Sequence, residues 1–290
     1  MTANEDWRAR PETEILRADD GGRFALTRVG TPGAARAAAV YLPGMFSGRR
    51  FWLSDRGVGL AGHLAEAGFA GYIIERRGVG DSPRPAGART GLTEHVRHDL
   101  PLVRSLIARE CPGPVFWIGH SFGGVMAARA AATVLDPAEI AGLVLFASQF
   151  EVGKTALDFP ANLFTRALAY GLGRFPARRL GLGPENEPPA AMADACRWVA
   201  AGRRRPAFRR ALASVTSPVL AIAGAGDRVD PAAGCERLIG HFSGTDKTFV
   251  RAGTDTGYTV DYDHPGIVVS KPARAEIWPL VTDWLRSRDS

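Results

Sequence analysis

The sequence predicts an α/β domain on a mostly parallel, doubly wound sheet, with a helical segment inserted late in the chain. Two observations carry this. Short apolar runs of strand length alternate with stretches of helical period through the first half of the chain and again through its last quarter. From about Ser148 to Val215 that rhythm stops. There Phe159-Pro160, Gly171-Leu-Gly-Arg-Phe-Pro176, Gly181-Leu-Gly-Pro184 and Pro188-Pro189 punctuate a stretch with helical patches and no clear strand. The expected division is a core of residues 1–147 and 216–290, with a helical cap, 148–215, inserted before the next strand.

Taken in order, residues 24–29 read as a first strand. Residues 37–42 form a second, buried one that runs into Pro43-Gly-Met-Phe-Ser-Gly48. Residues 60–67 are amphipathic and helical, and 71–75 form a strand followed by the loop 76–83. Thr93 is placed to cap a helix reaching about Arg109, with Val96, Leu100, Val103 and Ile107 at helical spacing. A strand at 114–118 and a helix at 125–132 follow, then a strand at 140–146. Helical patches at 162–170 and 190–201 occupy the insertion. The alternation resumes with a strand at 218–223, a helix at 231–241, a strand at 247–251 and a closing helix at 272–286. In such a sheet the loops that follow strands converge at the carboxyl edge, where chemistry gathers.

Gly119-His-Ser-Phe-Gly123 sits between the strand at 114–118 and the helix at 125–132. A serine on so sharp a turn is lifted clear of the sheet, and the helix behind it favours developing negative charge. The pentapeptide alone is an ordinary glycine-rich loop; the flanking strand and helix make Ser121 the candidate nucleophile. A hydroxyl at neutral pH needs a base, and the base needs an orienting acid. Asp227 lies in a tight loop at the end of strand 218–223, whereas Asp230 precedes Pro231 and looks like a helix cap. Asp227 is the candidate acid, against the alternative of a plain turn residue.

Of six histidines, His63, His95 and His98 fall on helices, His120 abuts the serine, and His241 ends a helix beside its last carbonyls. His264, in Asp261-Tyr-Asp-His-Pro-Gly266, is the one in a loop at the correct edge and after the acid, and so is the candidate base. The oxyanion donors expected for this arrangement are the amides of Phe122 and Met45, with Phe46 as second choice. Phe46 and His120 are candidates to touch substrate. Phe159 and Phe164, with Leu163, Tyr170, Met192 and Trp198, line the pocket or pack within the cap.

Bulk properties bound the remainder. Hydrophobic residues make up 46% of 290, enough for one large domain. No apolar run is long enough to span a bilayer, and Met1 to Arg10 lack the apolar stretch of a signal peptide. Cys111, Cys196 and Cys235 form neither a metal pattern nor a disulfide framework, so a reduced, cytoplasmic protein without metal or cofactor is expected. The net charge of +6 is concentrated between Glu151 and Ala213, which hold eleven Lys/Arg against five Asp/Glu. That excess is a solvated helical face or an attraction to anionic substrates or a membrane surface. No nucleic-acid reader motif accompanies it. Arg77-Gly-Val-Gly80 lacks the third glycine and helix start of a dinucleotide loop.

With these residues placed, the chain resembles the α/β-hydrolase superfamily over nearly its whole length. Several stretches are similar to its acid lipase branch. Leu42-Pro-Gly-Met-Phe-Ser47 looks like that branch's oxyanion loop, with Pro43 where a histidine is common. His98-Asp-Leu-Pro101 resembles its Tyr-Asp-Leu-Pro, and Gly119-His-Ser-Phe-Gly123 matches its elbow. Tyr262-Asp-His264, followed by Lys271-Pro-Ala-Arg274, looks like its histidine segment, although Pro-Gly-Ile follows His264 instead of Leu-Asp-Phe. The resemblance implies hydrolysis of a small-molecule carboxylic ester with an apolar acyl group. Acyl transfer or thioester hydrolysis by the same residues is the alternative, and a non-catalytic ligand-binding relative a third.

Overall fold

The computed structural model describes residues 11–289; the decapeptide read above as lacking a signal peptide lies outside them. Eight strands form one sheet in the order β1-β2-β4-β3-β5-β6-β7-β8. They are β1 (Glu12–Arg17), β2 (Arg23–Val29), β3 (Ala37–Leu42), β4 (Phe69–Ile74), β5 (Val115–His120), β6 (Gly142–Phe146), β7 (Val219–Gly224) and β8 (Lys247–Ala252). β3 to β8 pair in parallel, while β2 runs antiparallel to both β1 and β4. β1 is an addition to the expected first strand. Its sequence, Glu12-Thr-Glu-Ile-Leu-Arg17, is an exposed edge with polar side chains on both faces, so it leaves little periodic signal.

The helices are α1 (Leu60–Glu66), α2 (Leu92–Glu94), α3 (Leu100–Glu110), α4 (Phe122–Thr133), α5 (Ala161–Gly171), α6 (Pro189–Arg204), α7 (Pro206–Ala211), α8 (Ala232–Gly240), α9 (Gly266–Val269) and α10 (Lys271–Arg286). Side chains alternate across the central strands and so feed two cores. Val40, Leu42, Val115 and Trp117 join Leu100, Val103 and Ile107 of α3, Val125 of α4 and Leu238 of α8 on one face. Ala39, Tyr41, Phe116 and Ile118 join Leu60 and Leu64 of α1 and Ile277 and Val281 of α10 on the other. These strands are buried on both faces, which is why they read as continuous apolar runs.

One expected helix is broken. Between α2 and α3 the chain makes a π-helical turn, His95–Asp99. Pro101, in the first turn of α3, cannot donate an amide to a regular ladder running through it. Thr93 is not the cap: it lies inside α2, whose N-cap is Gly91, and its amide donates to Asp194 Oδ2 at 2.9 Å. The turn brings Asp99 under Arg77, whose Nη2 donates to Asp99 Oδ1 at 2.6 Å, with His95 Nδ1 2.8 Å from Asp99 Oδ2. Between β6 and β7 the chain leaves the sheet and folds as α5, α6 and α7. α5 packs on α6, and strand-like pairing there is limited to a bridge between Phe175 and Glu187. No helix among the described residues is long and apolar enough to cross a membrane.

Candidate active site

β5 delivers Ser121 to the carboxyl edge of the sheet, and α4 starts on the next residue. Ser121 has φ 54 and ψ −126, a strained geometry for a residue with a Cβ. The turn closes because its glycines are small. A Cβ on Gly119 would collide with the Gly124 amide, and one on Gly123 with the Leu42 carbonyl oxygen. The first amides of α4, Phe122 included, have no partner inside the helix, an arrangement that favours negative charge there.

Ser121, Met45 and Phe122 line one cavity of about 350 Å³ together with His264, Phe46 and residues of the segment between β6 and β7. His264 Nδ1 lies 2.8 Å from Asp227 Oδ2. Facing a carboxylate, which can only accept, Nδ1 is the donor of this contact. Asp227 uses its other oxygen locally: Oδ1 accepts the amides of Val229 and Asp230, each at 2.8 Å. One carboxylate thus shapes its own loop and orients the imidazole.

That turn also redirects Asp230, which is not the helix cap the sequence suggests. Its side chain makes no capping bond to α8 and is fully buried beside the serine. Ser121 Oγ donates to Asp230 Oδ2 at 3.0 Å, and His264 Nε2 stands 3.9 Å from the same oxygen. Asp230 Oδ1 meets Lys154 Nζ at 2.5 Å and Gln149 Nε2 at 2.6 Å. Neither Lys154 nor Gln149 carried a sequence signal, because each acts through a partner far along the chain.

The loop after β3 is held by the segment between β6 and β7. The Phe46 amide donates to Glu187 Oε1 at 2.8 Å, and the Glu185 amide donates to the Phe46 carbonyl at 3.0 Å. Phe46 itself sits at φ 64, and its ring stacks on Phe175 with centroids 5.6 Å apart. Arg76, from the loop after β4, forms a buried ion pair with Glu187 and donates to the Pro43 carbonyl at 2.8 Å. Glu187 thus occupies the Phe46 amide, the second-choice donor of the sequence reading.

His120 does not line the cavity, contrary to the expectation that it touches substrate. It is buried, its Nε2 lies 2.9 Å from the His264 carbonyl oxygen, and it stacks on Phe51 at 4.3 Å. Burial, and next the neighbouring His264, push its pKa well below the ordinary histidine value, so the ring is neutral and Nε2–H donates. Phe159 and Phe164 are also displaced from the expected lining: they are 67% and 72% exposed on the outer surface. α5 turns Thr165 inward instead, and the cavity takes Leu157, Phe175, Leu182 and Met192 from this segment. Trp198 packs in the core, and His241 pairs with Glu151 Oε1 at 2.8 Å instead of with helix carbonyls. Asp19, Asp20 and His98 bring possible ligand atoms within 4.8 Å of one another at the surface, but His98 pairs with Asp19 and Asp20 with Arg77.

A family model described as serine aminopeptidase, S33 (Hydrolase_4) matches residues 45–195, just over half of the chain. Among solved structures, a monoacylglycerol lipase from Paleococcus ferrophilus matches with a TM-score of 0.63 and 21% identity, covering 91% of this chain and 99% of that one. A soluble variant of the Saccharomyces cerevisiae monoglyceride lipase, solved with a substrate analogue, matches at 0.70 and 16% identity over 97% of both chains. DcsB, in complex with its substrate analogue, matches at 0.72 and 17% identity over 96% of this chain and 99% of that one. The shared architecture is the α/β-hydrolase fold. Curated proteins contain no match to the chain.

Proposed function

The chain belongs to the serine aminopeptidase (S33) family of α/β-hydrolases, and from that premise we propose that it cleaves carboxylic esters through an acyl-enzyme on Ser121. The observation that carries this is the His264 Nδ1–Asp227 Oδ2 contact of 2.8 Å at the rim of the cavity that Ser121 enters. In the proposed cycle Ser121 Oγ turns from Asp230 to His264 Nε2, gives up its proton there and attacks the ester carbonyl. Asp227 steadies the imidazolium that forms. The amides of Met45 and Phe122 receive the oxyanion, at a helix N-terminus whose dipole favours that charge. His264 returns the proton to the leaving alkoxide, and water then releases the acid.

The ester reading, and within it an apolar acyl group, rests on the lining. Met45, Phe46, Phe122, Leu157, Phe175 and Met192 surround the nucleophile. The likeness of 42–47, 98–101 and 262–264 to acid lipases supports a lipid-like acyl chain. The segment 148–215 serves as the cap that shapes the pocket. We place the enzyme in the cytoplasm, a reading supported by free, buried thiols at Cys111, Cys196 and Cys235.

Ser121→Ala is expected to lower hydrolysis of p-nitrophenyl butyrate by about 10³-fold or more while leaving Tm nearly unchanged. A fluorophosphonate probe is expected to label Ser121 in the parent enzyme. Retained turnover together with an unlabelled Ser121 overturns the assignment.

A further inference from the structure

Asp230 is a second buried carboxylate at the nucleophile, and the cycle just described gives it no chemical role. Its orientation is set by two partners on one oxygen. Oδ1 is held by Lys154 at 2.5 Å and Gln149 at 2.6 Å. Gln149 is itself fixed: its Oε1 accepts the amides of Glu151 at 2.6 Å and Val152 at 2.8 Å, and its Nε2 also donates to the Val152 carbonyl at 2.7 Å. Lys154 reaches inward from a left-handed backbone position, φ 53, with its side chain only 6% exposed and its ammonium 5.2 Å from the Phe122 ring. The ammonium offsets the carboxylate charge where Asp227 and His264 already share a second one. Arg228, the other cation at this cavity, lines its wall. This construction leaves Oδ2 facing the serine.

In the resting enzyme Oδ2 receives the Ser121 hydroxyl at 3.0 Å. Once Ser121 is acylated, its Oγ is an ester oxygen with no proton to donate. Oδ2 then loses that donor, and a buried carboxylate oxygen without one is strongly disfavoured. His264 Nε2 stands 3.9 Å away. A single oxygen about 2.8 Å from each can bridge that gap.

We propose that Asp230 is a further catalytic residue: it and His264 together hold the deacylating water, so that the acyl-enzyme resolves by hydrolysis instead of by transfer to an alcohol. This rests on the acyl-enzyme reading above. Water has two O–H bonds and meets both requirements at once, one to His264 Nε2 and one to Asp230 Oδ2. An alcohol has one. If its proton points to His264, Oδ2 is left without a donor and faces the alkyl group. In the step itself the water oxygen attacks the acyl carbonyl as its proton passes to Nε2, and the second O–H stays bonded to Asp230. Collapse of the tetrahedral intermediate breaks the acyl–Oγ bond, the proton returns from His264 to Ser121 Oγ, and the carboxylic acid leaves. Ser121 then donates to Asp230 again.

The test separates the two half-reactions. Asp230→Asn puts an N–H group where Oδ2 stood and turns the water's lone pair, not its proton, toward residue 230. With p-nitrophenyl butyrate, the decay of the acyl-enzyme followed by intact-protein mass is expected to slow by about 10- to 100-fold. Fluorophosphonate labelling of Ser121, which needs no water held between residue 230 and His264, is expected to slow by less than deacylation does. With methanol present, the ratio of methyl ester to acid is expected to rise several-fold. Equal slowing of both half-reactions, or an unchanged product ratio, overturns the proposal. The parent enzyme gives a test that needs no variant: methanol is expected to capture the acyl group less efficiently than water, mole for mole, and a preference for methanol overturns it. An unlabelled Ser121 in the parent together with retained turnover in Ser121→Ala is a different failure, that of the acyl-enzyme reading.

Discussion

At the turn after β5, neighbouring side chains take opposite directions. Ser121 enters the cavity, whereas His120 packs under the His264 loop and holds its carbonyl. The sequence places both at one turn and cannot tell their directions apart, because direction at a strained turn is set by packing against Phe51 and His264. Burial holds His120 neutral in the folded state, with a pKa below its unfolded value near 6.5. The unfolded chain therefore takes up a proton that the folded one does not, and stability is lost as pH falls below about 6.5. Urea unfolding of His120→Gln between pH 7.5 and 5 is expected to show a shallower loss of stability with acid than the parent, whatever its stability at pH 7.5. A parallel pH slope contradicts this. Asp227→Asn tests the neighbouring contact. Its amide oxygen can still accept the Val229 and Asp230 amides, so Tm is expected to hold, while kcat falls by about 10⁴-fold through loss of the imidazole's partner.

Elements meet at the loop after β3. β3 ends there, the loop after β4 supplies Arg76, and the segment before α6 supplies Glu185 and Glu187. The sequence pointed to the loop after β3 but not to its clamp, because the Phe46–Glu187 bond spans 141 residues. Glu187→Ala removes the acceptor of the Phe46 amide and strands a buried guanidinium. It is expected to reduce kcat on p-nitrophenyl butyrate by about 10- to 100-fold with a smaller change in KM, and to lower Tm. Glu187→Gln retains an acceptor and is expected to recover part of kcat; equal losses in both variants would argue against positioning of the loop. The elbow is stiffer still. Gly123→Ala drives a methyl into the Leu42 carbonyl, and the expected outcome is a large loss of folded protein in thermal melts.

Over the whole molecule, the sheet and the helical segment between β6 and β7 divide what was legible. Ala37–Leu42 and the central strands announced themselves because burial on both faces demands unbroken apolar runs. The edge strand β1 and the π-helical turn before α3 did not, since one is polar and the other is a local break in a periodic pattern. In the cap the helical patches were visible but their facing was not. Phe159 and Phe164 point outward and Met192 inward. The double variant Phe159→Ser, Phe164→Ser is expected to keep turnover of p-nitrophenyl butyrate within about twofold, whereas Met192→Ala, which enlarges the cavity, is expected to shift preference toward longer acyl chains several-fold. A graded series of p-nitrophenyl esters measures both. By itself the sequence determined the strand–helix alternation, the sharp turn at Ser121 and the placing of Asp227 and His264 in loops after strands, because each is a local pattern or a position relative to a strand end. Only the tertiary structure decided that Asp230 turns to Ser121 across 109 residues, that Glu187 reaches Phe46, and which cap side chains face the cavity. Those are packing outcomes between segments far apart in the chain, and no spacing encodes them.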